Sequence, residues 1–218
     1  MQAWLDFYAE YGDLFVDGAL VTLRLTLLSF VGALVIGIVI ASMRVSPIPP
    51  LQRFAAAYVQ LFRNLPLLII FFLFFFGLPK VGIIFEPFPS AVIVMSLYTG
   101  AYMGEVVRSG INAVSAGQME AGRAIGLNFV QLLRLVVIPQ ALRTVVAPIG
   151  NLFIANAKNT AIALTIGVVE LTQVSRNLIN RTAEVWPSLI GAAFIYTAAL
   201  LLSGWVFGVI ERRVAIAR

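Results

Sequence analysis

The chain has 218 residues, 61% hydrophobic and 11% charged, where a soluble domain carries about a quarter charged. An integral membrane protein with one membrane domain is expected. The net charge of +5 sits mostly at the ends of apolar runs, as the positive-inside rule predicts, and does not suggest nucleic acid. Cys and His are both absent, which removes disulfides, thiolate or imidazole metal ligands and His-based acid–base chemistry.

Residues 1–17 read as an interfacial segment, with Trp4, Phe7, Tyr8, Tyr11 and Phe15 set among Asp6, Glu10, Asp13 and Asp17. Acids in place of a basic n-region predict no cleaved signal peptide. A first span is expected from Gly18 to Met43, with Arg24 snorkelling near its outer end and Gly32 and Gly37 available for close helix contacts. A Pro-rich loop, Arg44 to Arg53, leads to a second span from Leu51 to Leu78. Phe62-Arg63-Asn64-Leu65-Pro66 interrupts that span, and a Pro at membrane depth leaves backbone groups that neighbours must satisfy. The third span runs from Ser90 to Val107, where Glu105 and Arg108 at i, i+3 are placed to form a structural ion pair.

Ser115 to Pro139 reads as two short surface helices between greasy segments. Ser115 with Gln118, and Asn128 with Gln131, have capping-box spacing. Gly126 is suited to the left-handed conformation that ends the first helix. Leu132, Leu133, Val136 and Val137 recur at helical spacing, and Pro139 marks a boundary.

The fourth span starts near Thr144 and is broken by Asn151, Asn156, Lys158, Asn159 and Thr160 before resuming from Ala161 to Val169. Lys158 then lies on the order of 20 Å along a core about 30 Å thick. A Lys there is costly by about 2.5–3.5 kcal/mol and should face a cavity or a partner. Asn64, Asn156, Lys158, Asn159 and Thr160 are the candidate substrate residues; the alternative for the polar ones is helix–helix glue. Glu170 to Trp186 reads as an amphipathic connector, Pro187 to Val209 as the fifth span, and 215–218 as a tail. Arg44, Arg53, the 115–139 loop, Arg143, Arg212, Arg213 and Arg218 all fall on one side of a five-span layout. That side is the cytoplasm, and the acidic N-terminus is outside.

Several ordered motifs resemble one family. Glu120-Ala121-Gly122, three residues, Gly126, nine residues and Val136-Val137-Ile138-Pro139 resemble the EAA loop of permease subunits of bacterial ABC importers. That pattern reads Glu-Ala-Ala, three residues, Gly, nine residues, Ile-x-Leu-Pro. Arg63-Asn64-Leu65-Pro66 is similar to the Arg-Gly-Thr-Pro of the polar amino-acid branch (histidine, glutamine, glutamate and arginine uptake). Ala101-Tyr102-Met103-Gly104-Glu105-Val106-Val107-Arg108 is similar to its Ala-Tyr-x-x-Glu-x-x-Arg, and Lys158-Asn159-Thr160-Ala161 to its Lys-Asp-Thr-Ser.

The resemblance implies an all-α polytopic fold of the type I ABC importer permease kind, in the bacterial inner membrane. It implies a second permease subunit, identical or a sister chain, two cytoplasmic ATPases and an extracytoplasmic amino-acid-binding protein. Glu120, Ala121, Gly122, Arg123 and Gly126 would form the coupling helix that docks on the ATPase. ATP and Mg would bind on that partner, and no cofactor on this chain, which has no Walker sequence. Fewer carboxylates near Lys158 argue against a cationic substrate, and an acidic or amide substrate such as glutamate or glutamine is the first choice. The rival reading is a stand-alone carrier or channel driven by an ion gradient; no intramembrane Asp is available to it as a proton relay.

Overall fold

The computed structural model describes residues 2–214; the tail 215–218, with Arg218, lies outside the described residues. Those described form helices and connecting turns, with no strand among them. Five passes run between two ends of the molecule.

The first pass is one helix, α1 (Gln2–Val45), of 44 residues. No Pro occurs before Pro47, so nothing breaks it at 17/18, where the sequence suggested two pieces. Its length is about 66 Å at 1.5 Å per residue, roughly twice the hydrocarbon thickness, so one end projects well past the core. The aromatics of that end find protein: Phe7 and Phe15 are buried against Leu171, Val174, Leu178 and Ala192.

The second pass is broken. Pro66 forces Leu65 into extended backbone (φ −93°, ψ 136°), as a residue before proline prefers. Helix α2 (Pro49–Asn64) stops there and α3 (Leu67–Phe72) resumes, and the two segments bend by 106°. A wide π turn over Leu73–Gly77 and a 3-10 turn over Leu78–Val81 follow, closed by Gly82 at φ 84°. The second span expected from Leu51 to Leu78, interrupted at Phe62–Pro66, is thus a bent pair, broken at that proline.

The third pass, α4 (Pro87–Asn112), runs parallel to α1 and packs on it closely. Gly32 faces Ser96, Gly37 faces Met103, Gly100 faces Ile36 and Gly104 faces Ile40. A Cβ at any of the four would come under 3.0 Å from the facing side chain. Small residues are what let two backbones approach this closely.

Helix α5 (Ala116–Ala124) and α6 (Phe129–Leu132) follow. The second short helix does not end at Pro139. It runs through a π turn, Leu133–Val137, into α7 (Ile138–Asn159). Ile138 N–H reaches back to the Leu133 carbonyl, the i−5 bond of a π turn. Widening the turn relieves the i−4 clash that Pro139 would otherwise make. A 3-10 segment, Thr160–Ile166, finishes this pass, closed by Gly167 at φ 89°.

Helix α8 (Leu171–Thr182) lies across α1 and α9 (Val185–Val214). Helix α9 runs alongside α1, with Tyr8 Oη donating to the Pro187 carbonyl at 2.8 Å. Four helical runs are long and apolar enough to cross a membrane: α1, α4, Val130–Ile166 and α9; the bent pair makes a fifth if counted as one. The acidic start of α1 and α8 share one end. The end of α1, the end of α4 and α5 share the other.

Candidate functional site

Two parts of the structure carry functional geometry. The first is the knob after α4. Ser115 is the extended residue before α5 (φ −66°, ψ 146°), but its side chain makes no capping bond; the helix begins where expected without that device. At the other end Gly126 takes φ 85°. Gly126 N–H donates to Arg123 O at 2.9 Å and Leu127 N–H to Gly122 O at 3.1 Å, the paired bonds of a Schellman motif. Two residues on, Asn128 N–H donates to Gln131 Oε1 at 3.0 Å and Gln131 N–H to Asn128 Oδ1 at 2.9 Å. That is a complete capping box.

Gly122 is the inward residue of α5. A Cβ there would press on the end of the Leu132 side chain, which is flexible enough to yield. Val114, Val137 and Ala141 form the small core beneath. Glu120, Ala121, Arg123 and Gly126 face solvent, and Ile125 is 78% exposed at the tip. An apolar side chain held out by a rigid, doubly capped turn suits a protein contact.

Beside the knob, Arg108 grips Glu105 with Nη2–Oε2 at 2.8 Å and Nε–Oε1 at 3.2 Å. Arg44, from the end of α1, reaches the same carboxylate at 3.4 Å. The ion pair is thus a triad that clips two parallel helices together.

The second part lies where α7 gives way to its 3-10 segment. The structure separates the five candidate substrate residues. Asn156 is 1% exposed. Its Oδ1 accepts from Thr99 Oγ1 at 2.9 Å, and its Nδ2 donates to Ser29 Oγ at 2.9 Å and to Thr26 O at 3.2 Å. One amide therefore joins α1, α4 and α7. Thr160, fully buried, donates to Ala157 O at 2.7 Å and turns toward α9. Both are enclosed here, the outcome expected of helix–helix glue.

Asn64 is exposed at the end of α2, with Nδ2 donating back to Gln60 O at 2.7 Å. Lys158 is exposed in the last turn of α7, with no ion-pair partner among the described residues. Asn159 is half-buried and lines a cavity of about 250 Å³ together with Tyr98, Tyr102, Leu152, Ala155 and one edge of Asn156.

Sequence reasoning missed the aromatic wall of that cavity. Tyr98 and Tyr102 are four apart on α4, with ring centroids 5.2 Å apart and hydroxyls at 3.3 Å. The Arg63 guanidinium lies 5.3 Å over the Tyr102 ring, a cation–π contact. The i, i+4 spacing of two tyrosines beside an Asn-rich span was the available signal. The structure brings the end of α2, the Tyr98–Tyr102 face of α4 and Asn159 together. It leaves Lys158 on the surface nearby.

A profile described as "Binding-protein-dependent transport system inner membrane component" matches residues 33–216. The chain belongs to this family. Among curated relatives, the "Probable glutamine ABC transporter permease protein GlnM" of Bacillus subtilis is 35% identical, over 84% of this chain and 85% of that protein. The "L-cystine transport system permease protein TcyB" of the same organism is 38% identical over 90% and 84%. Among solved structures, a "Crystal structure of an amino acid ABC transporter with histidines" aligns with a TM-score of 0.90 at 33% identity, covering 96% of this chain and 98% of that one. The inward-facing MetNI methionine ABC transporter shares the fold at a TM-score of 0.78 and 21% identity.

Membership makes the chain an all-α ABC importer permease subunit, an inner-membrane component and not the ATPase, which is a separate chain. The stand-alone carrier reading is set aside on the same ground. The family also accounts for a chain with several helices able to cross a membrane and an exposed knob but no nucleotide-binding sequence of its own.

Proposed function

We propose that this permease subunit imports a polar amino acid, with glutamate or glutamine the first choice. It pairs with a second permease subunit, identical or a sister chain, and encloses the path with it. An extracytoplasmic binding protein delivers the substrate at the end formed by α8 and the start of α1. ATP and Mg act on cytoplasmic ATPases that dock on the 115–139 knob, so the N-terminus is outside and the described end of α9 cytoplasmic.

The knob is the observation that carries this reading. Its helix is held by bonds at both ends of the turn, so force applied at Glu120–Gly126 passes into the continuous helix 129–166 rather than into a slack loop. Relatives named for glutamine, cystine and glutamate transport support the substrate class. Locally, Lys158 has no counter-ion among the described residues, while Glu105 is shared by Arg44 and Arg108. Lys158, Arg63 and the amides of Asn64 and Asn159 would favour a substrate bearing carboxylates. Asn156 and Thr160 would act from behind by fixing the helix.

The test is a pull-down from solubilised host membranes, native chain against Glu120→Arg. An ATPase subunit should accompany the native chain and be lost from the variant. No ATPase with either chain would overturn the coupling role.

A further inference from the structure

Glu170 is a fully buried carboxylate with no cation in salt-bridge range among the described residues. A buried charge needs compensation, and here hydrogen bonds supply it. Oε1 accepts from Gln173 N–H at 2.8 Å, and Oε2 from Thr172 N–H at 2.9 Å and Tyr196 Oη at 2.7 Å. The first two bonds cap the N-terminus of α8, where a negative charge also meets the positive end of the helix dipole. The third comes from α9.

The Tyr196 hydroxyl does more than complete that cap. It lies 3.1 Å from Thr172 Oγ1 and 3.5 Å from Thr160 Oγ1. Thr160 opens the 3-10 segment and directly follows Lys158 and Asn159. Tyr196 gives its proton to Glu170 and Thr160 gives its own to Ala157 O, so their approach is a packing contact that sets the Tyr196 ring between the cap of α8 and the end of α7. On the other flank, Leu171 N–H donates to Thr22 Oγ1 of α1 at 3.1 Å. A helix cap alone does not call for Glu, since Asp, Asn, Ser and Thr are the favoured caps. The longer side chain lets one carboxylate both cap α8 and take the Tyr196 proton donor.

We propose that Glu170 and Tyr196 are positioning residues for transport: their bond ties α8 to α9 and holds the Tyr196 ring against Thr160, so that displacement of α8 moves the Lys158–Thr160 segment. The transport role rests on the reading of Lys158 and Asn159 as part of the path; the physical tie does not.

The experiment compares native chain, Tyr196→Phe, Glu170→Asp and the double variant, each purified from membranes with its associated subunits. Amide hydrogen exchange reads the tie. Tyr196→Phe keeps the ring and should raise exchange roughly tenfold across residues 160–168. Glu170→Asp should do the same while leaving the amides of Thr172 and Gln173 protected, because Asp still caps. The double variant should add nothing to either single change, since both cut one link. Native-like protection of 160–168 in Tyr196→Phe, or additive effects, would overturn the tie.

Amino-acid uptake then reads the role. Tyr196→Phe should raise the apparent KM roughly tenfold with ATP hydrolysis in the absence of substrate unchanged. Altered exchange with native uptake kinetics would overturn the positioning claim. A native complex that takes up no polar amino acid would overturn the proposed substrate class, and the exchange result would still decide the tie.

Discussion

The knob and the polar stretch 156–160 are both short and both rich in signals, yet they are built on different principles. The knob is held by bonds between near neighbours in the chain. Every bond that shapes it joins residues within five positions of one another: Gly126 to Arg123, Leu127 to Gly122, Asn128 to Gln131. The polar stretch is shaped by distant elements. Asn156 is fixed by Thr26, Ser29 and Thr99, and Thr160 faces Tyr196. Local bonds preserve a shape wherever the knob swings, which suits a lever. Long-range bonds let one stretch of helix turn neighbouring residues to different surroundings.

That contrast is sharpest between Asn156 and Lys158, two residues apart on α7 and opposite in surroundings. Asn156→Leu should have the largest effect. It strands the Thr99 hydroxyl in a buried seam, at a cost of about 1–3 kcal/mol for a group left unpaired, and takes a donor from Ser29 Oγ, which keeps its own bond to Leu25 O. Thermal unfolding of the purified chain should show the loss directly, as a lowered midpoint. If the midpoint holds, the amide is not the junction of three helices.

Lys158→Met should leave that midpoint unchanged, because its charge has no partner among the described residues. Uptake measurements should instead show an apparent affinity for an anionic or amide amino acid reduced at least about tenfold, the scale of one charge-assisted hydrogen bond. Unchanged affinity would remove Lys158 from the path. Arg44→Gln should have the smallest effect. Glu105 keeps its two bonds from Arg108, and a partly exposed pair of this length contributes about 0–1 kcal/mol. A shift in the unfolding midpoint larger than that would mean the triad bears more of the α1–α4 contact than its glycine seam does.

The same contrast explains what could be read from the sequence. The five passes were legible because length and apolarity are properties of each segment. Gly126 and the Asn128–Gln131 box were legible because their partners are neighbours in the chain. Pro66 announced a break, but its 106° bend depends on what α3 packs against. Pro139 misled: it looked like a stop, and a π turn just before it, Leu133–Val137, carries the helix past it. Asn156 could not be assigned by depth alone, since a polar residue inside a membrane serves equally as glue or as path until its neighbours are known. Glu170 was hidden for the same reason; its long-range partner, Tyr196, reaches it only in the folded chain.

The central claim is that the knob transmits work between an ATPase and the path. Gly126→Asp tests it most directly, because the change strains a backbone held at φ 85° and touches neither the path nor the membrane seams. A left-handed conformation costs a non-glycine residue on the order of 1 kcal/mol, enough to loosen the turn without unfolding the chain. ATP hydrolysis and amino-acid uptake should be measured side by side in vesicles holding the assembled transporter. The account predicts a variant that inserts normally and still hydrolyses ATP but no longer links hydrolysis to uptake. Native uptake per ATP hydrolysed in that variant would contradict it.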